Sequence, residues 1–334
     1  MNWTQGSKPI LGLSPMADFT DSPFCSLIRE CACPPMAGRQ AVIFREMLSA
    51  EAIIRHNTRT VSYLDFKESE RPLVQQLFGS DPGSMAQAAE LVMQTSKPDG
   101  IDVNMGCPVH KAVSNFNGAS LMREPDKAAA IVHAIKSTIS LPLSVKTRLG
   151  WSKPDEILDF SKILEQAGAD ALEIHARTKA QGYSGQADWS AVKKVVDNVK
   201  IPVLVNGDIV DPKSAIEALN QSGAQGLLIG RGALGNPWIF KRIETVLSGQ
   251  PDPGDPSLEE RLKGLRRHAE LQIEHYGEKG LIKLRKHFPW YFKSIPGFRQ
   301  YRAAAVHVST MSDLDSLLSV ISSVSREIAG TEVT

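Results

Sequence analysis

The chain reads as an α/β protein: a (β/α)8 barrel followed by an all-helical C-terminal domain. Two observations carry that expectation. Short runs of apolar residues alternate with amphipathic helical patterns as far as Phe240, and the runs are apolar on both faces, as strands of a parallel sheet covered by helices are. The runs number eight, the count that closes a barrel. A length of 334 residues accommodates such a barrel, of about 250 residues, and a smaller second domain.

The first run, 11–15, leads through Ser14-Pro15-Met16-Ala17 to Asp21-Ser22-Pro23, a helix-start signal. The other strand candidates are 41–44, 73–77, 101–103, 143–146, 171–175, 203–206 and 226–229. Ala128, Ile131, Val132 and Ile135 repeat at helical spacing after Pro125-Asp126. Ile157, Phe160 and Leu164 do so after Pro154-Asp155, with Gly168 as the stop. Asp211-Pro212 opens a further helix, with Ile216 and Leu219 on its apolar face and Gly223 at its end. The stretch 249–256, G-Q-P-D-P-G-D-P, has the proline and glycine density of a linker. It divides a barrel domain, 1–248, from a helical domain, 257–334, with helices expected around Leu262–Gln272, over 279–292 and over 311–328. A doubly wound sheet is the alternative, because Gly230-Arg231-Gly232-Ala233-Leu234-Gly235 matches G-x-G-x-x-G. That match follows the eighth strand, not the first, and no strand ending in an acid follows at the required distance.

Composition bounds the rest. Hydrophobic residues make up 42% and charged residues 22%, with a net charge of +1, so contact with nucleic acid must come from a local patch. No apolar run reaches the roughly 20 residues of a membrane helix, and the first residues lack a signal-peptide core, which places the expected location in the cytoplasm. Of the four cysteines, Cys25, Cys31 and Cys33 read as reduced structural thiols, and no zinc-type spacing or other metal site is expected.

Barrel enzymes hold their chemistry at the C-terminal ends of the strands. Here these ends read Pro15-Met16-Ala17, Arg45-Glu46, Gln75-Gln76, Asn104 with Cys107, Lys146 with Arg148, His175 with Arg177, Asn206-Gly207-Asp208 and Gly230-Arg231. A barrel needed only for stability has no reason to collect polar groups on one rim, so the pattern points to an enzyme. The last two loops suit a phosphate: glycines let backbone N–H groups approach it, and Arg231 can bind it bidentately. Lys146 either stabilises negative charge on a cofactor ring or sits in a salt bridge with Glu46 or Asp208. His175 is a rim ligand or a satisfied core histidine. Cys107, between Gly106 and Pro108, is a buried inert thiol or a proton donor of near-normal pKa, and His110 gives it no defensible triad. From 281 to 302 there are six Lys or Arg and no acid, interleaved with Phe288, Trp290, Tyr291, Phe292, Phe298 and Tyr301. The pattern suits RNA, or a solvated basic face over packed aromatics.

In these motifs the chain resembles the tRNA-dihydrouridine synthases, in forms like the bacterial B and C types. The carriers are S-P-M-A-D-F-T-D-S-P-F (14–24), Q-L-F-G (76–79), D-V-N-M-G-C-P-V-H-K (102–111), S-V-K-T-R-L-G-W (144–151), I-H-A-R-T-K-A-Q-G-Y-S-G (174–185), V-N-G-D-I (205–209), L-I-G-R-G-A-L-G-N-P-W-I-F (228–240) and L-R-K-H-F-P-W-Y (284–291). The resemblance implies a barrel holding FMN, reduced by NADPH, and a helical domain that grips tRNA, in a monomeric enzyme. It implies hydride transfer from the flavin to C6 of a uracil and protonation of C5 by Cys107. It assigns FMN contacts to Pro15, Met16, Ala17, Gln76, Lys146, His175, Asn206, Gly207, Asp208, Gly230 and Arg231, and places Asn104 and Arg177 facing the base. With the basic stretch, it makes Lys283, Arg285, Lys286, Arg299 and Arg302 the expected phosphate contacts and tRNA the expected partner. The chain departs from the family pattern at Asp18, where Gly is usual, at Cys25, where Arg is usual, and at Ala112-Val113-Ser114. Two other readings remain: a flavin barrel acting on free pyrimidines, and an RNA-binding barrel without redox chemistry.

Overall fold

A computed structural model describes residues 9–32, 41–108, 117–293 and 301–331. Eight parallel strands close on one another: β1 Ile10–Leu13, β2 Val42–Ser49, β3 Leu73–Phe78, β4 Gly100–Asn104, β5 Leu143–Arg148, β6 Ala171–His175, β7 Val203–Asn206 and β8 Gly226–Ile229. Strand β8 pairs with β1, from Ile10↔Gly226 to Leu13↔Ile229, so the open doubly wound sheet is excluded. Strand β2 runs five residues beyond the apolar run that announced it. Its charged centre, Arg45-Glu46, coincides with a register shift against β3 between Arg45 and Leu48, and such a bulge lets a charged pair interrupt a buried strand.

The helix starts are chemically explicit. Asp81, Asp188 and Asp211 each accept a hydrogen bond from a backbone N–H three residues on, capping the helices Pro82–Thr95, Trp189–Val196 and Pro212–Ser222. The first and third of these also carry proline in the first turn, where no N–H is needed. The outer faces of the strands and the inner faces of the helices make one apolar core. A second, smaller cluster lies inside the barrel: Val42, Phe44, Val74, Ala171, Leu204 and Leu228, with Ile10 against it. It closes the barrel at its N-terminal end.

The segment after Leu247 carries no regular structure until Ser257 caps the 19-residue helix Leu258–Tyr276 in a reciprocal box with Glu260. Arg242 holds that segment by a bidentate pair with Asp252 (2.9 and 2.7 Å) and a bond to Asp255. The C-terminal helices build their own apolar cluster, which takes in Leu27 from the helix Ser22–Ala32. The helix expected over 279–292 is broken into Gly280–Leu284, a 3-10 turn Arg285–His287, and Phe288–Tyr291. Pro289 has no N–H to bond back to Arg285, so an unbroken helix is not available. Two further helices follow, Arg302–His307 and Met311–Thr331.

Among the described residues, no helix is long and apolar enough to cross a membrane, and no cluster of three metal-ligating side chains occurs. Cys25 and Cys31 are free thiols, whereas Cys33 lies outside the described residues.

Candidate active site

Strand register decides which side chains enter the barrel. Gln76, Asp102 and Ser144 are cross-strand partners, as are Asn104, Lys146 and Glu173, and Arg148, His175 and Asn206. These sets stack above the apolar floor. The first row is a chain of hydrogen bonds: Gln76 Nε2 donates to Asp102 Oδ2 (2.5 Å) and Ser144 Oγ to Asp102 Oδ1 (2.9 Å). Higher up, Asn104 Nδ2 donates to Gln76 Oε1 (2.9 Å), and Lys146 Nζ reaches across to Asn206 Oδ1 (3.3 Å). Asn206 in turn donates to the Leu228 carbonyl (2.7 Å).

The Cys107 loop is held by its own strand end. Asn104 Oδ1 accepts from the N–H groups of Gly106 (3.1 Å) and Cys107 (2.9 Å), a side-chain turn that asparagine makes readily. A side chain at Gly106 would press on the Thr147 backbone, which explains the glycine. The Gly106 carbonyl accepts from Arg148 Nε (2.7 Å), and Arg148 Nη1 donates to the Thr178 and Gly182 carbonyls. Arg148 thereby ties the Cys107 loop to the loop after β6. Cys107 itself is partly exposed.

Lys146 is not paired as the sequence suggested. Glu46 instead accepts from the Asp18 N–H (3.0 Å), and Asp208 is taken by Arg177 (2.6 Å) and the Ala187 N–H (2.8 Å). The reason is register: the acids near Lys146 are Asp102 and Glu173, on the adjoining strands of the same interior. Burial and the neighbouring Arg148 push the Lys146 ammonium down to about 8, against the pull of those two carboxyls. Burial first, then the surrounding cations Lys146, Arg148, Arg177 and Arg231, hold His175 neutral far below the usual imidazole range.

Pro15, Met16 and Ala17 follow β1 in a turn fixed by Met16 N–H to Thr20 Oγ1 (3.0 Å), beside Gly230. Asp18 adopts a left-handed backbone (φ 66°), the conformation that explains why glycine is usual there. Here it is held on both sides, with its N–H bonded to Glu46 and its carbonyl accepting from Lys286. Gly207 and Asp208 also have positive φ, and Arg231 opens a 3-10 turn at the end of β8, 49% exposed and 3.7 Å from Asp208.

Several other residues singled out from the sequence are engaged within the protein. Arg177 is 2% exposed, and its guanidinium is spent on the Ser184 and Gly185 carbonyls and on Asp208, so it organises its loop. Lys283 Nζ lies 3.5 Å from the Tyr276 ring centroid, Arg285 Nε donates to the Val308 carbonyl (2.8 Å), and Lys286 holds Asp18. Arg302 is exposed. His110, Ala112-Val113-Ser114 and Arg299 lie outside the described residues. Sequence reasoning missed Tyr183, 57% exposed, whose ring sits over Arg148 and Arg231 beside His175. It also missed Asp102 and Glu173. The signal for these two was an acid inside a run that otherwise reads as buried strand.

A closed barrel with one polar rim is the architecture of a barrel enzyme, and comparison with known proteins says which. The chain matches the family described as dihydrouridine synthase over residues 12–328, and it belongs to that family. It is 36% identical over 307 residues to a "Probable tRNA-dihydrouridine synthase 1" of Synechocystis, covering 91% of this chain and 84% of that one. It is 34% identical over 293 residues to the "tRNA-dihydrouridine synthase B" of Pseudomonas aeruginosa, covering 87% and 86%. Among solved structures it resembles TcOYE with pHBA, with a TM-score of 0.53, 9% identity and coverage of 80% and 94%. A 2-naphthoyl-CoA reductase complex has a TM-score of 0.54, with 12% identity and coverage of 72% and 50%. At such identities the likeness concerns the fold.

Proposed function

We propose that the protein is an FMN-dependent tRNA-dihydrouridine synthase, which reduces the C5=C6 bond of uridines in tRNA with NADPH as the reductant. The observation that carries this reading is the rim itself: a thiol on a loop clamped by Asn104 and Arg148, over a barrel mouth lined by Lys146, Asn206 and His175. The donor set suits a flavin mononucleotide. Lys146 has one hydrogen-bond acceptor, at 3.3 Å, and N–H groups to spare for an anionic ring edge. Arg231 and the turn after β8 offer donors to a phosphate. Space is open over Gly230, where a Cβ would meet no atom closer than 3.7 Å. The relatives' printed names support the substrate.

When bound, reduced FMN supplies the hydride for C6. The chain does the rest. Cys107 delivers its proton to C5, Asn104 fixes the loop that carries the thiol, and Lys146 holds positive charge at the mouth, where negative charge accumulates on reduction. The helical domain, 257–334, grips the tRNA, with exposed Arg302 among the cations left for its phosphates. A uridine within folded tRNA must leave its stack to reach such a mouth.

The test is Cys107→Ala. The variant is expected to keep the bound-flavin absorption and NADPH oxidation and to lose dihydrouridine formation on tRNA. Undiminished product would refute the proton-donor role, and a protein that takes up no FMN would refute the whole reading.

A further inference from the structure

Glu173 stands in the barrel interior, 0% exposed, with Lys146 and Leu204 as its strand partners. Neither of its carboxyl oxygens receives a hydrogen bond from a donor among the described residues. Two polar groups of the row below it are within its reach, Ser144 and Asp102. The Ser144 hydroxyl has one proton, and it goes to Asp102 Oδ1 at 2.9 Å. Asp102 is thus provided for as an anion, with a donor on each oxygen. Glu173 is not: as a carboxylate it would face another carboxylate over an apolar floor with no donor on either oxygen, and the Lys146 ammonium would have to serve both acids. Two buried carboxyls in contact resolve this by sharing one proton.

We propose that Glu173 is a positioning residue which keeps its proton and donates it in a hydrogen bond to Asp102. The barrel interior then carries a single negative charge directly beneath Lys146, and that charge keeps Lys146 cationic where the flavin ring is to lie. The inference rests on the FMN reading for its last step only. Burial, then the charge of Asp102, drives the Glu173 carboxyl well above its ordinary range, while the bonds from Gln76 and Ser144 restrain the rise at Asp102. Around Lys146 the other charged or titratable groups are Arg148 and Cys107, and around neighbouring His175 they are Arg148, Arg177 and Arg231. Cations therefore surround the mouth, and the carboxyl pair is what offsets them from below.

The experiment compares the purified wild-type protein with Glu173→Gln and with the double variant Asp102→Asn/Glu173→Gln. Infrared spectroscopy at pH 7 is expected to show a protonated carboxyl in the wild type that is missing from Glu173→Gln. Absence of that band in the wild type, or its persistence in the variant, overturns the proton assignment whether or not flavin is bound. In flavin-loaded protein, the amide introduced by Glu173→Gln replaces the donor and leaves the pair's charge at one. The flavin reduction equilibrium of Glu173→Gln should therefore stay within about twofold of wild type. The double variant removes both carboxyls, so the charge beneath Lys146 is lost and the ammonium is left to shed its proton; the equilibrium should shift about tenfold toward the oxidised form, near 30 mV for a two-electron couple. A tenfold shift in Glu173→Gln, or none in the double variant, overturns the electrostatic role. Should the double variant fail to fold, the infrared comparison still decides the proton assignment, and a shift beyond twofold in Glu173→Gln still overturns the electrostatic role. If no variant and no wild-type sample binds FMN, it is the functional reading that fails, and the infrared arm still decides the carboxyl pair.

Discussion

Gly235→Ala is expected to loosen the barrel from the helices that follow it. Gly235 has φ 66°, and a Cβ there would overlap the Trp290 carbonyl carbon and lie 2.5 Å from the Tyr291 nitrogen and 2.6 Å from the Trp290 oxygen. All three are backbone atoms, so no side-chain rotation relieves the clash. The left-handed conformation costs an L-residue about 1 kcal/mol. Forcing an extra methyl into a packed contact costs a further 1–3 kcal/mol or so. The sum, about 2–4 kcal/mol, is a large share of the stability of an ordinary domain. Gly249→Ala is the control: its φ is 80°, but nothing lies within 4 Å of its Cβ position, so only the backbone cost of about 1 kcal/mol remains. Urea unfolding, followed by far-ultraviolet circular dichroism, reads both variants. Limited proteolysis at the 249–256 segment then reports whether the two parts separate. If Gly235→Ala costs no more than Gly249→Ala, the close approach of the β8 loop to Trp290 and Tyr291 is wrong.

Three further outcomes are expected. His268 and His287 are buried in edge-to-face contact between the C-terminal helices and Phe24, with His268 pushed down to about 4 and His287 well below the usual range, both by burial. The unfolded chain takes up protons below about 6.5 that the folded chain refuses, so stability is full above that pH and falls between there and about 4. His268 alone accounts for about 3 kcal/mol, and in a pH series of melting temperatures His268→Gln should flatten the slope. Glu70 pairs with Arg45 at 3.3 Å with both side chains buried, so Glu70→Ala, which leaves the buried guanidinium to the Tyr63 and Asp65 carbonyls without its countercharge, should cost about 3 kcal/mol in urea unfolding; a loss under 1 kcal/mol would contradict the buried pairing. Lys286→Ala removes the donor to the Asp18 carbonyl and should weaken FMN binding about tenfold by flavin-fluorescence titration, with recovery in the Asp18→Gly double variant; equal affinity in all forms would show that Lys286 does not shape that turn.

The strands were legible because a parallel barrel buries both faces of each, leaving short apolar runs that stand out in a sequence. The rule failed where a strand keeps charge inside it. Strand β2 seemed to stop at Phe44 because Arg45 and Glu46 follow, yet it continues to Ser49 through a bulge. The same cause hid Asp102 and Glu173, because an isolated acid in an apolar run does not say whether it faces the helices or the barrel interior. Rim residues such as Asn104, Lys146, His175 and Asn206 were readable from their position at strand ends, and the structure brings them together. Their partners were not readable, since these depend on register across several strands. The salt bridge weighed for Lys146 against a cofactor contact therefore named Glu46 or Asp208, not the acids of its neighbouring strands. The glycines of 230–235 show a related ambiguity. They fit a dinucleotide fingerprint by spacing, but Gly232 makes room for the Ile209 carbonyl and Gly235 for the Trp290–Tyr291 backbone. Basic residues in 283–286 carried no mark distinguishing a cation that holds a loop or caps a ring from one left free for a ligand.

The apolar layer of Ile10, Val42, Phe44, Val74, Ala171, Leu204 and Leu228 makes the barrel a well with a sealed base. The Asp102–Glu173 pair lies between that base and the mouth, so a molecule seated over Lys146 would cover the pair from above. With one proton between them, as proposed, the two acids would act on that molecule as a charge held behind it, on the side turned away from solvent.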